Sequence, residues 1–115
     1  MGLLLMLIHF DPLGSRIVEQ YRIEVRQPLE TGAAADVANH TILVDPVVLQ
    51  DFYKSPKLAV IWSSCMLVHE AVHVREQTQR EDLPNAFTYI CLDRLGAPRW
   101  MKDHVYRILQ GQVSP

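Results

Sequence analysis

The sequence predicts an α+β fold in which a small, mostly antiparallel sheet packs on one long helix, with two further helices after it. The order of the elements supports this, because the strand-like segments lie early in the chain and the helical segments follow them. Segment 57–79 is long and broadly apolar, as expected of a buried helix. A chain of 115 residues suffices for one core, so we expect a single domain over residues 1–115.

Three segments have the pattern of strands. Residues 3–10 form an apolar run that ends at Asp11, and residues 41–44 form a second, compact one. Residues 21–27 alternate, with Ile23 and Val25 expected to face inward. Between these segments we expect a short helix over 12–19 and a loop over 28–39.

The predicted helices are marked by residues that begin or end them. Asp45 and Pro46 begin a short helix that runs to residue 53, and Ser55 caps the long helix over 57–79. A helix over 85–95 ends before Gly96, which suits a left-handed terminal position. The last helix covers 99–110.

Composition excludes several classes of protein. Hydrophobic residues make up 49% of the chain and charged residues 21%, which is ordinary for a globular domain. A net charge of −2 provides no basic surface for nucleic acid. The apolar residues 1–8 are too few to span a membrane and lack the features of a signal peptide. We therefore expect a cytoplasmic protein with neither a nucleic-acid nor a membrane partner, although export by another route stays open. Its oligomeric state stays open too.

The most informative motif is the pentapeptide His69-Glu70-Ala71-Val72-His73 within the long helix. Residues four apart lie on the same helix face, so both imidazoles can bind one metal ion. Glu70, beside the first histidine, can act on a water held by that ion. The sequence therefore predicts a zinc hydrolase with His69 and His73 as ligands and Glu70 as the general base. The alternative is a core helix whose histidines only make local hydrogen bonds.

The layout resembles that of the zincin metallopeptidases. The residues that carry the resemblance lie between Asn39 and Leu95, in the segments HTILVDP, LVHEAVHVREQ and FTYICLDRL. They look like the small bacterial HExxH domains and the minimal gluzincin-type peptidases. The resemblance implies a peptide or protein substrate, and a strand at 41–44 whose edge binds that substrate over the helix.

A third protein ligand is expected for catalytic zinc. A gluzincin takes it from a glutamate on a later helix, and no glutamate follows Glu81 in this chain. Asp93, on the next predicted helix, is therefore the first candidate. His104, Asp103 and Glu76 are the alternatives.

The expected reaction is hydrolysis of a peptide bond by a zinc-bound water, with Glu70 taking the proton. Tyr89, Tyr106 and His104 are candidates to stabilise the developing oxyanion. The competing interpretation is a non-catalytic or latent zinc-binding domain, that is, a pseudo-enzyme, a binding module or a zymogen. In a purely structural site a further ligand, such as Cys65 or His104, would close the coordination sphere.

Overall fold

A computed structural model describes residues 22–111, which form an α+β fold of three strands and four helices. The expected strand over 3–10 and helix over 12–19 lie outside the described residues. The elements follow in this order: β1 (Arg22–Val25), β2 (Ala33–Asp36), β3 (Thr41–Val44), α1 (Pro46–Asp51), α2 (Pro56–Glu76), α3 (Asp82–Arg94) and α4 (Arg99–Leu109). The α+β class predicted from the sequence is confirmed.

The sheet is mixed, which corrects the expectation of a mostly antiparallel one. Its strand order is β1-β3-β2, so β3 lies in the centre. β2 and β3 form an antiparallel hairpin, whereas β1 runs parallel to β3, with Ile23 opposite Ile42. The mixture arises because the chain passes from one edge of the sheet to the other between β1 and β2 and then returns to the middle.

Strand β2 lies inside the segment that was expected to be loop. Its residues Ala33, Ala34 and Ala35 have little intrinsic preference for strands. They are extended because each pairs with a residue of β3, from Ala33 opposite Val44 to Ala35 opposite Ile42. Pairing across the sheet overrides local propensity here, and the sequence pattern does not reveal that pairing.

Helix α2 is the central element of the fold, and 14 of its 21 residues are buried. As predicted, Ser55 caps it by accepting a hydrogen bond from the Leu58 N–H, and Pro56 occupies its first turn. The helix ends at Glu76, and the left-handed backbone of Gln77 (φ 50°) turns the chain so that the Thr78 N–H reaches the His73 carbonyl.

Two hydrophobic clusters cover opposite sides of α2, so the helix lies between the sheet and the last two helices. The first cluster joins α2 to β3 and α1, and the second joins it to α3 and α4. The first contains Ile42, Val44, Leu49, Val60, Leu67, Ala71 and Val74. The second contains Ile61, Trp62, Cys65, Val68, Cys91, Leu92, Ala97, Met101 and Val105.

The short helix α1 is fixed to the sheet by Asp45. The Asp45 carboxylate accepts hydrogen bonds from the Val47 and Val48 N–H groups and from the Leu29 N–H, 16 residues earlier in the chain. Burial alone would raise the pKa of Asp45, but these backbone hydrogen bonds and one from the Gln27 side chain hold it below its ordinary value. Asp45 therefore joins a helix start to a loop beside the sheet.

Helix α3 begins at Asp82, three residues earlier than predicted. Pro84 lies in its first turn, where a proline is tolerated because its missing N–H has no partner to lose. The helix ends as expected before Gly96, which has φ 75°. Within residues 22–111, no helix has the length and apolar content needed to cross a bilayer.

Candidate metal centre

His69 and His73 lie on one face of α2, in its last two turns, with Nε2 atoms 3.3 Å apart. Their side chains are only 10% and 5% exposed. Burial lowers the pKa of His69, although the nearby Glu81 carboxylate acts in the opposite direction. Burial therefore favours the neutral ring, the form in which a histidine binds a metal ion.

The Nδ1 atom of each ring has a hydrogen-bond partner that sets its tautomer. His73 Nδ1 lies 2.8 Å from the Thr78 carbonyl oxygen, which can only accept, so Nδ1 of the neutral ring carries the proton. His69 Nδ1 lies 3.0 Å from the Thr88 hydroxyl, which already donates its hydrogen to the Pro84 carbonyl. Thr88 must therefore accept from His69 Nδ1. With Nδ1 as the donor, the neutral form of each ring has its lone pair on Nε2, and the two Nε2 atoms lie 3.3 Å apart.

Glu81 completes the cluster. One of its carboxylate oxygens lies 2.9 Å from His69 Nε2 and the other lies 3.1 Å from His73 Nε2. Glu81 immediately precedes α3 but makes no side-chain hydrogen bond to cap that helix. Its carboxylate is directed toward the histidines instead, which leaves the first backbone N–H groups of α3 without this acceptor.

The three side chains fit a divalent cation. Two neutral ring nitrogens facing each other at 3.3 Å repel, and the carboxylate adds negative charge, so the arrangement requires either a metal ion or a proton on one ring. Tetrahedral zinc with ligands at about 2.0–2.1 Å holds neighbouring ligand atoms roughly 3.3 Å apart. The two Nε2 atoms, 3.3 Å apart, match that value, and the ligand atoms that the three residues offer, one from each, all lie within 4.8 Å of one another.

Glu70 lies in the wall of the same cleft as this cluster, a cavity of about 560 Å³. Burial raises the pKa of Glu70 to about 7, with His73 lowering it and Glu81 raising it further. Within residues 22–111 its carboxylate takes part in no ion pair. Glu70 is therefore a carboxyl group near the cluster that can take up and release a proton close to neutral pH.

The cleft is bounded by β2, α2, α4 and the segment that leads into α3. Its walls change from polar around the histidines to apolar and aromatic near the start of α2. The remaining residues that line it are Thr31, Ala33, Ala34, Ala35, Phe52, Trp62, Met66, Gln79, Asn85, His104, Val105 and Ile108.

Asp93, the first candidate for the third ligand, lies away from the cluster. Helix α3 runs from Asp82 to Arg94, so Asp93 is about 18 Å from Glu81 along the axis. Its side chain is 63% exposed and forms an ion pair with Lys102 at 3.1 Å. The structure brings His69 and His73 together with Glu81, and Asp93 is not part of that group.

The other candidate ligands also lie outside the cluster. Glu76 is exposed and pairs with its neighbour Arg75, and Asp103 pairs with Arg99 at 3.8 Å. His104 lines the cleft but is not one of the three converging groups.

Glu81 is not among the candidate ligands named from the sequence, because it lies between the two predicted helices over 57–79 and 85–95. A usable signal was its place eight residues after His73 and directly before a helix. Since α2 and α3 are consecutive and packed together, the start of α3 returns to the end of α2, where the histidines are. A carboxylate at the far end of α3 cannot reach them.

The structure also bears on the expected substrate-binding strand and on the candidates for oxyanion stabilisation. Strand β3 (residues 41–44) is flanked by β1 and β2, so it has no open edge to bind a peptide; β2 is the strand that lines the cleft. Among the candidates for oxyanion stabilisation, Tyr89 and Tyr106 contact each other, with ring centroids 6.2 Å apart, and neither lines the cleft.

Comparison with known proteins gives no assignment: no family model matches the chain, and neither does any curated protein or solved structure. The functional argument therefore depends on the geometry of the site.

Proposed function

We propose that the protein is a zinc-dependent metallopeptidase of the HExxH type, with α2 as its active-site helix and with His69, His73 and Glu81 as metal ligands. The observation that carries this proposal is the pair of facing Nε2 atoms, 3.3 Å apart, each on a ring whose Nδ1 is hydrogen-bonded elsewhere. Two nitrogens and a carboxylate are the ligand set of one well-known class of catalytic zinc site.

When bound, zinc would supply a Lewis acid and a water that loses its proton near neutral pH. Glu70 is the residue placed to take that proton, because it adjoins His69 in the chain, lines the cleft and is not among the metal-binding groups. A carboxyl group with a pKa of about 7 can accept a proton and later donate it to the leaving amine.

His104 is the residue we assign to the oxyanion. It lies on α4, on the wall of the cleft that also contains His69 and His73. Of the three candidates named from the sequence, only His104 lines this cleft. Its imidazole N–H would donate a hydrogen bond to the carbonyl oxygen of the substrate as negative charge develops there.

The outer strand β2 is the element we assign to substrate binding. Ala33, Ala34 and Ala35 line the cleft, and within the described sheet β2 pairs with β3 on one side only. An extended peptide could form main-chain hydrogen bonds with its other side and so present a carbonyl to the metal centre. The small alanine side chains leave room for that peptide.

The test combines metal analysis with a matched pair of variants. The purified protein is expected to bind one zinc ion and to cleave a mixture of peptides. Glu70→Gln should lower turnover by on the order of 10³-fold, since it removes the proton acceptor, while zinc affinity stays within about threefold. Glu76→Gln, on the same helix but exposed and paired with Arg75, should leave both unchanged.

Full activity in Glu70→Gln would contradict the proposed mechanism. Zinc binding without cleavage of any peptide would favour a non-catalytic zinc-binding domain. Failure to bind zinc at all would favour a simple ion pair between Glu81 and a protonated histidine.

A further inference from the structure

Four aromatic side chains form a continuous group, which we call the aromatic cluster: Phe52, Tyr53, Trp62 and Trp100. The Phe52 ring stacks on Trp62 at 5.5 Å with an interplanar angle of 20°. Tyr53 contacts Trp62 at 5.8 Å and Trp100 at 5.7 Å. The group thus joins the link between α1 and α2 to the second turn of α2 and the first turn of α4.

The aromatic cluster is not a buried core. Phe52 is 49% exposed and Trp100 is 55% exposed, although Trp62 beneath Phe52 is only 9% exposed. Large aromatic rings that remain open to water in adjoining positions are characteristic of binding surfaces rather than of inert ones.

The aromatic cluster extends into the metal cleft. Phe52, Trp62 and Met66 line the same cavity as His69 and His73. Residues 62, 66, 69 and 73 are spaced four, three and four apart, so they share one face of α2. Along the helix axis, Met66 lies about 4.5 Å before His69 and Trp62 about 10 Å before it.

These distances match those of an extended peptide. A strand advances about 3.3 Å per residue, and its side chains at alternate positions share a face, about 6.7 Å apart. Met66 and Trp62 are about 6 Å apart along the axis. A peptide lying along α2 with its reactive carbonyl at the metal centre would direct the first side chain toward Met66 and the third toward Trp62 and Phe52.

We infer that this chain selects peptides with an aromatic side chain at the third position from the cleaved bond, on the side facing the start of α2, and that this ring stacks on Phe52 and Trp62. The inference rests on the proposed function. The walls near Met66 and Trp62 are apolar, so a charged side chain at the third position would lose its hydration without gaining a partner.

The first experiment profiles cleavage sites. The zinc-loaded protein digests a mixture of peptides of random sequence, and mass spectrometry records the residue at each position around every cut. Phe, Tyr and Trp are expected to be enriched at the third position on one side. For one good peptide, replacing that aromatic residue by alanine should lower kcat/KM by about tenfold, as expected for loss of ring stacking and burial.

Phe52→Ala tests the subsite, and Ile90→Ala is its control. Ile90, on α3, is 51% exposed, close to the 49% of Phe52, and it does not line the cleft. Phe52→Ala should reduce the tenfold preference to about twofold, while Ile90→Ala should keep it. Calorimetric titration of zinc-loaded Glu70→Gln with the aromatic peptide and its alanine counterpart measures binding without turnover.

The outcomes separate this inference from the proposed function. Cleavage with no aromatic preference at the third position, or with a preference that survives in Phe52→Ala, overturns the inference and leaves the peptidase intact. Selective binding of the aromatic peptide without cleavage overturns the peptidase and supports the subsite. If the protein neither cleaves peptides nor binds the aromatic peptide selectively, both the peptidase and the subsite are overturned.

Discussion

Asp45 and Glu81 each lie directly before a helix, but their carboxylates contact different kinds of group. Asp45 accepts hydrogen bonds from Val47 and Val48 at the start of α1 and from Leu29 in the neighbouring loop. Glu81 makes no such bond to α3 and instead contacts the Nε2 atoms of both histidines.

The two carboxylates differ in whether they satisfy the start of the helix that follows them. A carboxylate before a helix can satisfy backbone N–H groups that otherwise lack partners, and Asp45 does so. Glu81 gives up that contribution and adds negative charge beside two buried imidazoles. Glu81 therefore belongs to a group of side chains that could hold a cation, whereas Asp45 joins the start of α1 to the neighbouring loop.

The largest effect is expected for Glu81→Gln. Removing one of three ligands should weaken zinc binding by on the order of 10³-fold, since even the loss of a partner behind a ligand costs 10–100-fold. Competition with a coloured chelator measures this affinity. Asp93→Asn is the control, because Asp93 is exposed and pairs with Lys102, away from the histidines. Equal affinity in the two variants would remove Glu81 from the metal centre.

An intermediate effect is expected for Thr88→Val. This change keeps the side-chain shape but removes the hydroxyl that accepts from His69 Nδ1, so zinc affinity should fall about 30-fold. Thr41→Val removes a comparable hydroxyl hydrogen bond, to the Asn39 carbonyl, within the sheet. Thr41→Val should lower the stability of the fold somewhat but leave zinc affinity unchanged. If the two variants bind zinc equally, the Thr88 contact does not orient the ring.

The smallest effect is expected for Asp45→Ala, which should lower Tm by about 5 °C and leave zinc affinity unchanged. The native pKa of Asp45 lies below its ordinary value of 3.8, so its contribution is complete above pH 3.8 and is lost as pH falls through the native pKa. Thermal melts between pH 2.5 and 6 should show that the difference in Tm between Asp45→Ala and the natural protein becomes smaller at the lowest pH values. Asp51→Ala, at the exposed end of α1, is the control.

Much of the fold could be predicted because its signals are local. The Ser55-Pro56 start of α2, the end of α3 before Gly96 and the strand at 41–44 all follow from neighbouring residues. The sheet could not be predicted in the same way. The three alanines of β2 are extended only because β3 lies beside them, and the parallel pairing of β1 depends on a chain crossing that no local pattern records.

In the candidate site, too, one part follows from local sequence and another depends on contacts between distant residues. The convergence of His69 and His73 follows from helix periodicity alone, and the structure brings their Nε2 atoms to 3.3 Å. The participation of Glu81 depends on where α3 returns to α2, which is set by the turn after Gln77. Asp93 has a suitable residue type and lies on the correct helix, but its distance along that helix excludes it from the cluster.

The hydrogen bond from His73 Nδ1 to the Thr78 carbonyl has one more consequence. Its acceptor belongs to the main chain, so no side-chain replacement at position 78 can delete it. An insertion or deletion between Gln77 and Arg80 would therefore shift both the support of the His73 ring and Glu81 at once, whereas replacing the Thr78 side chain leaves the acceptor in place.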